Sequence, residues 1–429
     1  SRRLSFSAIP SIDAGANHCV SSSGALPSFG SGYQVSSISP LESKVASPWP
    51  QAIESMYFSV ITAITLQATL DFMNSIDVSQ TLAELTIDIC NIESVSGNER
   101  VLADLVEEAL QVPHLEVIRD GNAVIAKTNL GRPKRIILAG HLDTVPVSDN
   151  LPAKLMHFER EQVVWGRGSV DMKGGIAVFL KLAVELDAPK HDLTWIFYDQ
   201  EEVESEKNGL GRVAKNRPDL LKGDFAILGE PSSAQLEGGC NGSLRIEIST
   251  KGQKAHSARP WMGSNAIHAL NEVLSRLSSY QPSEVDVDGL IYRESLNAVR
   301  ISGGVANNVI PDWATVTVNY RFAPDKTTTQ AIDFLEDYFQ GFSFIVTDQA
   351  SAARPGLDLP EVQEFIEVLG VQPRAKYGWT DVARFSELGI PAVNFGPGNP
   401  SKAHADDESV PVGHLQDCYE ALNSWLIGG

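Results

Sequence analysis

Two periodicities organise the apolar positions of the chain. Thr81 to Cys90, Asn98 to Leu110 and Gly174 to Leu186 repeat apolar side chains at helical spacing. Between and after these lie short, mainly apolar runs at Arg135 to Ala139, Leu193 to Tyr198, Phe225 to Leu228 and Ala392 to Phe395. Such runs predict strands buried on both faces. Strands alternating with helices predict an α/β fold with a mostly parallel sheet flanked by helices. Ligands collect at the C-terminal ends of such strands. His141, Glu201, Glu202 and Glu230 all follow these runs, so one site could hold all four.

From about Leu244 the period changes. Arg245 to Thr250 and Thr315 to Arg321 alternate like half-exposed antiparallel strands, while Ala266 to Leu277 and Thr329 to Phe339 have helical spacing. Residues 244–350 are therefore expected as a separate α+β sandwich inserted between two parts of a first domain, 73–243 and 351–429. A C-terminal helix is expected near Gln416 to Leu426. Residues 1–72 read differently, being rich in Ser, Gly and Pro and poor in charge before a short apolar run. They are expected as a disordered extension, or as sequence upstream of a natural start at Met73.

Composition narrows the function classes. At 429 residues the chain is too long for one ordinary core. Its formal net charge of -20 disfavours nucleic acid as a partner and requires a local basic pocket for any anionic substrate. The four cysteines are scattered with no CxxC pair, which fits neither a disulfide framework nor a thiolate zinc site and points to the cytoplasm. No apolar run reaches the length of a membrane span, so no membrane association is expected.

Five side chains carry the candidate chemistry: His141, Asp171, Glu202, Glu230 and His404. Imidazole and carboxylate donors suit Zn²⁺, and this set could hold two ions if one carboxylate bridges them. Taken singly, each has an ordinary structural explanation. A lone histidine after a strand is more often structural, Asp171 stands in a glycine-rich turn, and His404 would pass for a loop residue. Their order and spacing make the joint signal. In His141-Leu142-Asp143 the first and third residues share a face of an extended segment, so Asp143 could fix the imidazole tautomer. In Glu201-Glu202 one carboxylate could ligate while its neighbour serves as general base.

The stretches Gly140 to Pro146, Gly168 to Gly175, Glu201-Glu202, Leu228 to Pro231 and Lys402 to His404 resemble the aminoacylase and succinyl-diaminopimelate desuccinylase family of zinc exopeptidases, from about Met73 onward. The resemblance implies a zinc-exopeptidase-like sheet with an inserted dimerisation, or lid, domain. It implies two zinc ions per chain, with cobalt as a substitute, and Asp171 as the bridge. His141 and Glu230 would complete one site, and Glu202 and His404 the other. Glu201 would be the general base, Asp143 would orient His141, and the Asp171-Met172 peptide would be cis.

Three further stretches, Gly252 to Arg259, Gly304 to Pro311 and Ala375 to Asp381, resemble the Gram-positive-type desuccinylase branch of that family. That likeness implies a homodimer in which His256 enters the partner subunit's site to stabilise an oxyanion. Asn307, Arg321, Thr380 and Asn399 would hold a small N-acylated diamino acid, N-succinyl-LL-2,6-diaminoheptanedioate. The chain departs from the branch at Cys240-Asn241, where others carry an arginine pair, and at Gly378 to Val382. The alternatives are another substrate on the same machinery, such as N-acetylornithine, another N-acylamino acid or a dipeptide, and a non-catalytic dimeric binding protein on this scaffold.

Overall fold

The computed structural model describes residues 75–158 and 161–428, and the expectation for residues 1–72 lies outside them. The main sheet has the strand order Glu116–Asp120, Ala123–Lys127, Asp192–Tyr198, Arg135–His141, Phe225–Leu228, Ala392–Asn394, Glu237–Gly238, Arg374–Ala375. Its central strands, from Asp192–Tyr198 through Ala392–Asn394, run parallel to one another. Antiparallel pairs continue the sheet on either side.

Strand alternation explains why both faces are covered. In Arg135–His141, Ile136 and Leu138 enter one core with Phe179, Leu182 and Trp425, whereas Ile137 and Ala139 enter the other with Leu210, Val213 and Phe385. Fully burying each large apolar side chain contributes roughly 1.5–3 kcal/mol. The helices are bounded by local chemistry. Thr81 and Glu84 form a capping box at the start of Leu82–Asn91. Pro360 opens the helix Pro360–Leu369, and Gly370 closes it at positive φ.

A second, wholly antiparallel sheet has the order Ser295–Gly303, Trp313–Phe322, Gly242–Lys251, Phe344–Ala350. Leu244, Ile246, Ile248, Val316, Val318 and Tyr320 are buried on one face, under the helices Ala266–Ala269, Asn271–Ser279 and Thr328–Tyr338. The period of two puts Ser243, Arg245, Asn319 and Arg321 on the other face. The helix expected over Ala266 to Leu277 breaks at Leu270.

One hairpin within the inserted segment, Glu284–Val287 with Leu290–Arg293, is not part of this sandwich. Its Val287, Leu290 and Tyr292 pack with Leu357 and Ala375, and the Tyr292 hydroxyl donates to the Gly238 carbonyl at 2.6 Å. It thereby ties the insertion to the edge of the main sheet. Among the described residues no helix is long and apolar enough to cross a membrane.

Candidate metal and active site

Parallel register brings the candidate ligands together. His141 lies opposite Tyr198, so two strands stop level, while Leu228 lies opposite Ala139, so the third stops two residues earlier. His141 ends the first strand, Glu201 and Glu202 follow the second, and Glu230 follows the third. Asp171 stands in the turn before helix Lys173–Glu185, and the Asp171-Met172 peptide is cis. His404 sits at positive φ between the turn Pro400–Lys402 and the strand Ser409–Pro411.

Two clusters share Asp171. His141 Nε2 lies 3.2 Å from Asp171 Oδ1, and His404 Nε2 lies 3.4 Å from Asp171 Oδ2. His404 Nε2 also lies 2.9 Å from Glu202 Oε1. Ligating atoms of His141, Asp171 and Glu230 fall within 4.8 Å of one another, as do those of Asp171, Glu202 and His404, and those of His141, Glu201 and Glu202. One carboxylate thus faces both histidines with separate oxygens.

The electrostatics are those of a site built for cations. Burial and the Asp171 charge push the Glu230 carboxyl up to about 8. Burial also raises Glu201 and Glu202; His141 pulls Glu201 back, a His404 hydrogen bond pulls Glu202 back, and neighbouring carboxylates add to the rise. Hydrogen bonds to Asp171 and Glu202 raise His404 to about 10. Burial lowers His141, but Asp143 and Asp171 outweigh it and hold the imidazole well above its ordinary value. Glu230 Oε1 is buried with no hydrogen-bond partner among the described residues. Crowded buried carboxylates and an unsatisfied buried oxygen are costly unless a cation compensates them. The nitrogen and oxygen donor set fits zinc.

Asp143, fully buried, organises both strand ends. Its oxygens accept from the Glu201 amide at 2.9 Å, the Glu202 amide at 3.1 Å and the Ser96 hydroxyl at 2.7 Å. His141 Nδ1 lies 3.0 Å from the Asp143 carbonyl, where its N–H can donate, leaving Nε2 to face Asp171. Glu408 does the same for the turn. It accepts from the Val170 and Asp171 amides at 3.0 and 3.1 Å and from Arg167 at 2.7 Å. Sequence reasoning passed over Glu408 because it follows Asp406-Asp407 in what reads as a solvated acidic loop; only its burial, at 1% exposed, gives it away.

Glycines form the floor beneath the ligands. A Cβ on Gly175 or Gly396 would collide with the Gly229 carbonyl, so helix and strand ends meet main chain to main chain.

The remaining candidates separate. Arg321 lines a cavity of about 560 Å³ together with Glu201, Glu202 and His404. Thr380 does not line it. That hydroxyl is buried and donates to Asn394 at 2.8 Å, while Gly378 and Trp379 face the cavity instead. Asn399 is exposed and caps the turn Pro400–Lys402, accepting from the Ser401 amide at 2.9 Å. His256 and Asn307 are exposed on the inserted segment and line none of this cavity. His256 Nδ1 accepts from the Ala258 amide at 3.1 Å, which leaves Nε2–H as a free donor.

Residues 137–427 match the family described as peptidase family M20/M25/M40. A Mycobacterium tuberculosis protein named "Putative succinyl-diaminopimelate desuccinylase DapE" is 52% identical over 349 residues, covering 80% of this chain and 98% of that protein. A Corynebacterium glutamicum protein named "Succinyl-diaminopimelate desuccinylase" is 44% identical over 354 residues, covering 80% of this chain and 95% of its own. Among solved structures, a Staphylococcus aureus tripeptidase superposes with a TM-score of 0.67 at 21% identity, covering 82% of this chain and 98% of that one.

Proposed function

Because the chain belongs to peptidase family M20/M25/M40 and is a metal-dependent hydrolase, we propose that it cleaves N-succinyl-LL-2,6-diaminoheptanedioate to succinate and LL-diaminopimelate. Such a reaction would serve lysine and cell-wall precursor synthesis in the cytoplasm. The shared Asp171 carboxylate, facing His141 on one side and His404 on the other, carries the proposal. The two relatives named as desuccinylases favour this substrate over N-acetylornithine or a dipeptide.

His141, Asp171 and Glu230 would hold one zinc, and Asp171, Glu202 and His404 the other. When bound, the zinc pair would polarise the scissile carbonyl and acidify water. Glu201, aimed by the Asp143 hydrogen bond to its amide, accepts the proton of the attacking water. The new C–O bond forms as the carbonyl π pair moves to oxygen. When that pair returns, the C–N bond breaks and Glu201 delivers the proton to the leaving nitrogen. Arg321 offers a planar fork to a substrate carboxylate.

His256 would donate its Nε2–H to the oxyanion in the site of a second copy. Its exposure away from the cavity of its own chain supports that role. The outer strand Ser295–Gly303 supports a homodimer, since among the described residues its outer edge is unpaired and carries exposed Val299 and Ile301.

The test is zinc content measured together with succinate release, set against acetate release from N-acetylornithine. About two zincs per chain with selective succinate release are expected. Acetate release alone would move the substrate, and no hydrolysis after metal is restored would overturn the enzyme.

A further inference from the structure

The cavity beside the metal cluster is bipolar. One end presents Glu201, Glu202 and His404, and the inserted sheet supplies Arg245, Arg321 and Asp348. Three arginines line the cavity, and their commitments differ. Arg384 is occupied, donating to Asp381 and to the Ser205 hydroxyl. Arg321 is half-buried and has no acidic partner among the described residues; it donates only to Asn319 Oδ1 at 3.2 Å. Arg245 has one acidic neighbour, Asp348, with Nη1 to Oδ2 at 3.7 Å. That separation is beyond hydrogen-bonding range, so both groups keep unused capacity. Their side chains are 48% and 28% exposed.

A break in strand pairing puts them side by side. Along Phe344–Ala350, Phe344 and Val346 lie opposite Ile248 and Ile246, on the face under the helices. Regular alternation would carry Asp348 to that same apolar face. The register instead shifts between Val346 and Asp348, with Thr347 left over, and Asp348 lies directly opposite Arg245. A bulge of this kind re-aims a side chain. Here it carries a carboxylate out of the apolar layer and into the wall of the cavity.

We propose that Arg245 and Asp348 form a subsite for a free α-amino acid group at the end of the substrate remote from the scissile amide. Arg245 takes its carboxylate and Asp348 its ammonium. A lone cation would accept any anion, whereas a pair of opposite charges with no hydrogen bond joining them matches a zwitterion in both signs. Arg321, with no acidic partner among the described residues, remains for another carboxylate. The inference rests on the desuccinylase reading, whose substrate ends in such a group, and it makes the inserted sheet the element that recognises diamino dicarboxylates.

The test is a crossed kinetic comparison using the zinc-loaded full chain. The substrates are N-succinyl-LL-2,6-diaminoheptanedioate, Nα-succinyl-L-lysine, which lacks the distal carboxylate, and N-succinyl-L-2-aminopimelate, which lacks the distal ammonium. Arg245→Met should lower kcat/KM about 10- to 100-fold on the full substrate and on the aminopimelate, and leave the lysine compound unchanged. Asp348→Asn should show the converse, with the full substrate and the lysine compound losing and the aminopimelate unchanged. The losses should sit mainly in KM. Equal losses on all three compounds, or no loss on any, would overturn the subsite while leaving the desuccinylase reading intact. Absence of wild-type turnover on every succinyl compound would overturn both.

Discussion

The two sheets of this chain treat their faces in opposite ways. The main sheet buries both faces and presents its candidate ligands where strands stop, so His141, Glu202 and Glu230 are held among buried neighbours. The inserted sheet buries one face and spends the other on polar and charged side chains, Arg245 and Arg321 among them. The groups proposed to break the bond thus stand at the strand-end edge of a sheet packed on both faces. Groups able to read a substrate stand on a face whose residues can be exchanged without opening a core.

Experiments can break that contrast. Removing metal with a chelator should abolish turnover, and zinc should restore it, read by succinate release; retained activity would remove the strand ends from the chemistry. Glu201→Gln should cut kcat about 10²–10⁴-fold while metal content stays unchanged, because only the proton carrier is lost. His256→Ala should cost about 10²–10³-fold. Mixing it with Glu201→Gln should recover activity, since a mixed dimer contains one intact site; no recovery would place both groups in a single chain. Glu408→Gln should weaken metal affinity or activity about 10- to 100-fold by loosening the turn that carries Asp171, measured by metal titration.

The smallest effect concerns stability. Burial raises the Asp192 carboxyl, but the Leu130 and Arg132 amides and the Thr128 hydroxyl outweigh it and hold it below its ordinary value. Its contribution is complete above the unfolded aspartate pKa of about 4 and is lost as pH falls through the lower folded value. Asp192→Asn should therefore lower Tm at neutral pH and make less difference in acid.

Much of the main sheet was legible because its strands are continuous apolar runs between helical stretches. Phe225–Leu228 occupies the range its pattern predicts, and Arg135–His141 extends only to its ligand. Four of the five candidate ligands end or follow an apolar run or stand in a glycine turn, whereas His404 is a loop residue that stood out only through its order and spacing with the others. The strand Phe344–Ala350 was not legible, since the extra residue at Thr347 breaks the alternation by which a strand is recognised. The hairpin tying the insertion to the main sheet was hidden for another reason. Its anchor, the Tyr292 hydroxyl on the Gly238 carbonyl, joins residues whose sequence spacing says nothing of their contact. Thr380 and Asn399 were expected at the substrate only through the family likeness, and the fold instead engages their side chains with Asn394 and Ser401.

The glycine floor beneath the ligands sets where this molecule can change. Gly175 of helix Lys173–Glu185 and Gly396 each abut the Gly229 carbonyl, so at those two positions there is no side chain to enlarge, shrink or recharge. Any inheritable adjustment of what the cavity accepts has to enter from the opposite wall, through positions such as Arg245, Arg321 and Asp348. Selection for a new substrate and selection for an intact metal centre would then act on different residues, and the first could proceed without trespassing on the second.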